Sequence, residues 1–178
     1  MIIETDRLIL RRWQSSDTEP FVSLNADPRV MKYFPATLSG AETEAMIATI
    51  EERINQRGFG FWAAELKGTK TFIGFIGLNV PGYPLRFSPC TEIGWRLAFD
   101  HWGKGYAQEG ARAVLKYGFE NLRLEEIVSF TTVNNLRSRR VMEGIGMAYD
   151  PQGDFDHPNL DENHPLRRHV LYRKIKGE

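Results

Sequence analysis

The sequence predicts an α/β fold, and three consecutive stretches carry the prediction. Glu92 to Ala98 alternates apolar and polar side chains with a period near two, the pattern of a strand with one buried face. From Tyr106 the period changes, and Ala107, Ala111, Val114, Leu115 and Phe119 recur at helical spacing among good helix formers. Glu125 to Val133 returns to alternation and is rich in β-branched residues. Strand, helix and strand over roughly 40 residues make a βαβ unit, so the two strands are parallel and joined by a right-handed crossover.

A chain of 178 residues is long enough for one domain, 1–178, that buries about 70% of its unfolded surface. Hydrophobic residues make up 42% and charged residues 26%, inside the range of packed globular proteins. Acids and bases balance at 23 each, so no overall field draws the chain to nucleic acid or to an anionic membrane. The lone Cys90 excludes an internal disulfide and a cysteine-based metal cluster. The opening MIIETDRLIL places acids and an arginine inside its apolar run, unlike a signal peptide or a membrane span. A cytoplasmic location and no metal are expected.

Taken in order, Thr5 to Trp13 reads as a first strand, with Leu8 and Leu10 inward and Arg7 and Arg11 solvated. Ser16 and Asp17 offer N-caps for a short helix carrying Phe21, Val22 and Leu24, which Asp27-Pro28 ends or redirects. Ser39-Gly40-Ala41-Glu42 is a capping box, and Met46, Ile47, Ile50 and Ile54 make one apolar stripe of a second helix that ends near Gly58. Gly60 to Leu66 and Thr71 to Leu78 are two strands joined by the polar turn Lys67 to Lys70, which gives an antiparallel meander. Pro81 to Pro89 holds three prolines and reads as a long loop able to cover one side of a pocket. Asn134 to Ser138 opens another helix, ended near Gly144 to Met147. Asp150 to His164 reads as polar loop, and Leu166 to Ile175 as the last strand.

Chemistry concentrates where the strand at Glu92 turns into the helix at Tyr106. In Trp102-Gly103-Lys104-Gly105-Tyr106-Ala107, small residues remove bulk just where a helix start leaves backbone N–H groups unpaired. Those groups and the helix dipole favour a phosphate, and Lys104 adds a charge. A plain strand-to-helix turn is the competing reading. Neither the P-loop pattern nor the dinucleotide fingerprint occurs here.

The loop resembles the pyrophosphate loop of the GNAT acetyltransferases, [RQ]-x-x-G-x-[GA], with Gly105 and Ala107 at the small-residue positions and Trp102 where Arg or Gln is usual. EIGWRL followed by WGKGYA is similar to the RimJ/RimL-type branch of that family. So are the opening T-x-R-L-x-L-R and the spacing of Asn135, Ser138 and Gly146. The resemblance implies a mixed, mostly antiparallel seven-stranded sheet with one splayed parallel pair, flanked by about four helices. It also implies acetyl-CoA as cosubstrate, held by Leu97, Ala98, Phe99, Trp102, Gly103, Lys104, Gly105, Tyr106, Ala107 and Gln108, with Asn135 and Ser138 near the arm or the sulfur.

Acetyl transfer to an amine needs a neutral amine, a donor to the developing oxyanion and a proton for the leaving thiolate. Glu92 is the candidate base, with Asp154, Asp156 and His157 as rivals. The tyrosine that often serves as acid in the family is replaced by Met142, which leaves Ser138 to orient the thioester. Tyr33, Phe34, Asp156 and His157 are candidate substrate contacts, with simple packing of the first two helices as the other reading of Tyr33 and Phe34. Arg137, Arg139 and Arg140 could reach the ribose phosphate of coenzyme A. Cys90 precedes the strand, and no cysteine lies near the loop where a covalent acetyl intermediate would form, so direct transfer in a ternary complex is expected. The acceptor implied first is a protein N-terminal α-amino group. A small amine, or acetyl-CoA binding without turnover, are the alternatives, and the protein is expected as monomer or homodimer.

Overall fold

The computed structural model describes residues 2–177. Its strands are β1 (Ile3–Glu4), β2 (Leu8–Arg11), β3 (Phe61–Leu66), β4 (Phe72–Asn79), β5 (Glu92–Leu97), β6 (Glu126–Thr132), β7 (Ala148–Asp156) and β8 (Arg168–Ile175). Its helices are α1 (Thr18–Ala26), α2 (Gly40–Arg57), α3 (Tyr106–Glu120) and α4 (Leu136–Gly144). The strands form one eight-stranded sheet in the order β1-β2-β3-β4-β5-β6-β8-β7. Neighbours are antiparallel except β5 and β6, the predicted parallel pair. The eighth strand, beyond the seven expected, is the two-residue β1, which folds back on β2 with Ile3 opposite Leu10.

Two helices cover each face. On one, α3 presses Gly110 onto Ile76 and Leu8, and α4 lies beside it, Arg112 donating to the Gly144 carbonyl at 2.6 Å. On the other, α1 packs Phe21 against Phe75 of β4 with ring centroids 6.0 Å apart, and α2 buries Ile50 and Ile54. The capping box of α2 forms as read: Ser39 N–H donates to the Glu42 carboxylate at 2.8 Å, and the helix ends on Gly58 at φ 78°. Among the described residues no helix is long and apolar enough to cross a membrane.

Three local readings are corrected. Asp17 does not cap α1. Its carboxylate instead accepts from Arg11 Nη1 and Nη2 at 2.7 and 2.9 Å, because a buried guanidinium is a stronger partner than a helix N–H that water can reach. Arg11, expected in solvent, is therefore buried, with Glu65 on its Nε at 2.8 Å. Arg7 stays exposed as read, with Glu109 on its Nε at 2.6 Å. Finally, the segment after Asp150 is not all loop. β7 continues to Asp156 as the edge strand, and its ladder with β8 slips between Asp150 and Phe155, which accommodates Pro151 and Gly153.

Candidate active site

The parallel pair is held at one end only. Glu92 lies opposite Val128, Val128 N–H donates to the Thr91 carbonyl at 2.9 Å, and the Ser129 hydroxyl donates to the Ile93 carbonyl at 2.9 Å. Beyond Ile93 the two strands part. Thr91 and Ile93 show that odd-numbered residues of β5 aim their backbone at β6, so Trp95 and Leu97 offer the groups that face the gap. Ala98 is already committed, its N–H to Ile73 and its carbonyl to His101. An extended chain with amides would find strand-like partners at Trp95 and Leu97, of which the sequence motifs named only Leu97.

The gap opens toward the glycine-bearing loop. Gly103 and Gly105 have φ of 73° and 82°, values an L side chain resists, and Gly105 is the N-cap of α3. The first helical bond is Glu109 N–H to the Gly105 carbonyl at 3.0 Å, which leaves the N–H groups of Tyr106, Ala107 and Gln108 without helical partners. Arg7, its charge paired with Glu109, braces the loop: its Nη1 donates to the Lys104 carbonyl at 3.0 Å, and its guanidinium lies 4.6 Å from the Tyr106 ring centre. This cradle fits a pyrophosphate. Trp102 is explained by its own contacts. Its indole N–H donates to the Leu97 carbonyl at 2.8 Å, pinning the loop to the strand end, while Arg137 stacks on its ring at 5.2 Å. Gly105→Val is expected to raise the dissociation constant for coenzyme A about tenfold or more, since even about 1.4 kcal/mol of backbone strain or blocked approach has that effect. Calorimetry with an unchanged constant would remove Gly105 from the cradle.

Glu92 lies at the closed end of the gap, on the face covered by α1 and α2. Asn79 Nδ2 approaches its Oε2 at 3.5 Å, and Asn79 Oδ1 in turn accepts from Arg53 Nη1 of α2 at 3.0 Å. Although the residue keeps some solvent access, protein atoms surround the carboxyl closely, and this desolvation pushes it up to about 7 against the pull of Asn79 and Arg53. The Pro-rich loop covers this end. Tyr83 reaches His157, hydroxyl to Nε2 at 3.0 Å with ring centres 4.8 Å apart, and burial together with the Glu92 charge raises its phenol. Behind them Phe87, Phe130, Phe155 and His169 make an aromatic wall, Phe155 stacking on His169 at 5.5 Å. Burial holds both His157 and His169 below the ordinary imidazole value, so both are neutral near pH 7.

The rival carboxylates are occupied. Asp154 accepts from the Tyr149 hydroxyl at 2.8 Å, and Asp156 pairs with Arg167 and Arg168 at 3.7 and 3.4 Å. Asn135 is occupied as well: its Oδ1 caps α4 by accepting from Ser138 N–H at 3.3 Å, and its Nδ2 donates to Thr131. Ser138 sits in the first turn of α4, on the α3 side of the sheet, so it and Glu92 lie on opposite faces with the gap between them. Met142 is core. Phe34 lies over Arg96 at 4.1 Å, whereas Tyr33 faces Lys32. Arg139 donates to the Val133 carbonyl and to Tyr172, Arg140 accepts at its carbonyl from Gln108 Nε2 at 3.4 Å, and Arg137 lies over the Trp102 ring beside the cradle.

Known proteins resemble this chain in sequence and in fold. Residues 7–148 match the family model described as acetyltransferase (GNAT) domain. The protein YkkB of Bacillus subtilis is 37% identical over 82% of this chain and 84% of its own length. The FsC-acetyl coenzyme A-N(2)-transacetylase of Aspergillus fumigatus is 34% identical over 83% of this chain and 65% of its own length. A crystal structure of an acetyltransferase (GNAT family) from Bacillus anthracis superposes with a TM-score of 0.82 at 28% identity, covering 100% of both chains.

Proposed function

Because the chain belongs to the acetyltransferase (GNAT) family and is an acetyl-CoA-dependent N-acetyltransferase, we propose that its acceptor is a small primary amine held beside Glu92 on the α1–α2 face. The single observation that carries this reading is the half-open parallel pair, closed at Glu92 and opening onto the Gly103–Ala107 cradle. Donor and acceptor then meet from opposite faces of one sheet. Within the family, EIGWRL and WGKGYA assign the chain to the RimJ/RimL-type branch.

Acetyl-CoA, when bound, supplies an acetyl group activated as a thioester. Its pyrophosphate suits the N–H groups at the start of α3, and its arm suits the open edge of β5 at Trp95 and Leu97. Glu92 does the proton chemistry. An alkylammonium holds its proton with a pKa near 10, so an ordinary carboxylate is about six units too weak a base, and a Glu92 near 7 halves that gap. The bare amine nitrogen then forms the C–N bond as the C–S bond breaks, and the second proton, which the nitrogen sheds on becoming an amide, goes to the leaving thiolate. Ser138, on the α3 side of the gap, is the residue of this chain assigned to orient the sulfur.

A protein N-terminus, the acceptor the resemblance implies first, requires an open groove. The bridge from Tyr83 to His157 narrows the Glu92 end and favours a small amine. A thiol-release assay with a panel of small amines and N-terminal peptides tests this. Release with small amines alone is expected. Release with peptides alone would reverse the acceptor class, and acetyl-CoA binding with no release from any acceptor would leave a non-catalytic binding module.

A further inference from the structure

Arg96 takes no part in the mechanism above, yet it occupies the same face of β5 as Glu92, four residues further on. Its side chain is enclosed, the residue being only 9% exposed. Among the described residues the guanidinium donates only from Nη1, to Asn25 Oδ1 of α1 at 2.7 Å and weakly to the Met46 sulfur at 3.9 Å. Its Nε–H is sealed from solvent and has no partner at all. Among the described residues no carboxylate pairs with it. Arg11, equally buried, shows what the fold does when a guanidinium is structural: two carboxylates, Asp17 and Glu65, hold it. Correspondingly, burial lowers Arg96 to about 10, whereas its partners raise Arg11.

A buried cation without a counter-ion is costly, and aromatic rings do not replace one. Phe34 covers the guanidinium at 4.1 Å and Phe75 approaches at 5.4 Å, which makes the site apolar around an unmatched positive charge. Phe34 lies in the exposed connection between α1 and α2, so the cover is the side of this site that faces solvent. Between Arg96 and Glu92 the floor is Gly94, where a side chain would press on the Phe61 ring. One face of β5 therefore presents a carboxyl at one end, a glycine in the middle and an unmatched guanidinium at the other.

We propose that Arg96 is the counter-charge for a carboxylate on the acceptor, so that the substrate is a small amino acid with its amine at Glu92 and its carboxylate at Arg96. This rests on the acetyltransferase reading above and adds the substrate class to it. The guanidinium offers the Nε–H and the second terminal nitrogen as a fork, the geometry that takes a carboxylate through two parallel hydrogen bonds.

The test compares ω-amino acids from 3-aminopropanoate to 6-aminohexanoate with the corresponding ω-amino amides, in wild type, Arg96→Gln and Arg96→Lys. Wild type is expected to prefer at least one amino acid over its amide on the order of 50-fold in kcat/KM, the size of a charge-assisted pair. In Arg96→Gln the preference should fall to near parity, mainly through KM, and Arg96→Lys should recover part of it. Urea unfolding controls for folding, and removal of an unmatched buried charge should leave Arg96→Gln at least as stable as wild type. Equal rates for every acid–amide pair in wild type, or an undiminished preference in Arg96→Gln, would overturn the assignment while leaving acetyl transfer intact. Bound acetyl-CoA with no thiol released by any amine would sink both.

Discussion

Glu92→Gln is expected to lower kcat/KM for amine acetylation by about 10²–10⁴-fold, the range of a lost general base, with little change in coenzyme A affinity. The amide keeps the shape and the contact with Asn79 but cannot accept the proton. In wild type, kcat/KM should rise with pH through an apparent value near 7, and this limb should vanish in the variant. A Gln variant with wild-type activity, or a limb that persists, assigns the base elsewhere.

The same substitution has a stability consequence of opposite sign. Glu92 holds its proton up to about 7 when folded but only to about 4.5 when unfolded, so the native state binds more protons between those values. Wild-type stability therefore falls as pH rises from 4.5 to 7, and levels off above. The gap corresponds to at most about 3 kcal/mol, reduced by the partial solvent access of the carboxyl. Glu92→Gln should lack this dependence and be the more stable protein at pH 8, as urea unfolding at several pH values would show. A variant that gains rigidity and loses catalysis together separates an active-site carboxylate from a structural one.

Asp17→Ala is expected to cost about 3–5 kcal/mol, because it removes the bidentate partner of a buried guanidinium and leaves Arg11 with Glu65 alone. The Gln14 N–H, which donates to the same carboxylate at 2.8 Å, loses its acceptor as well. With an unfolding slope near 2 kcal/mol per molar urea, the midpoint should drop by about 2 M. Arg11→Met combined with Asp17→Leu should recover most of that loss, since the cost lies in the orphaned charge and not in the missing pair. A midpoint for Asp17→Ala within about 0.3 M of wild type, a shift of about 0.6 kcal/mol at that slope, would mean that water reaches Arg11.

The contrast between Arg11 and Arg96 marks where sequence reading ends. Both stand in alternating strands, where a long cation is normally read as the solvated side. Which one is matched depends on residues six and 54 positions away in one case, and on helices 71 and 50 residues away in the other. The capping box at Ser39 and Glu42 was legible because both partners lie within one turn. The Tyr83–His157 bridge was not, because its partners are 74 residues apart and in two irregular segments. The edge strand β7 was hidden for a related reason: Pro151 and Gly153 read as loop, and only the slip in its pairing with β8 accommodates them.

By itself, then, the sequence determined the α/β class, the parallel pair and the glycine-bearing start of α3, since periodicity, helix-start chemistry and glycine conformations are local properties of the chain. The tertiary structure alone decided which charges on the sheet are satisfied. It surrounds Glu92 closely enough to shift its proton affinity, and it buries Arg96 beneath Phe34 with no counter-ion among the described residues. Desolvation and pairing depend on what packs from distant parts of the chain, and the choice of acceptor rests on those two quantities.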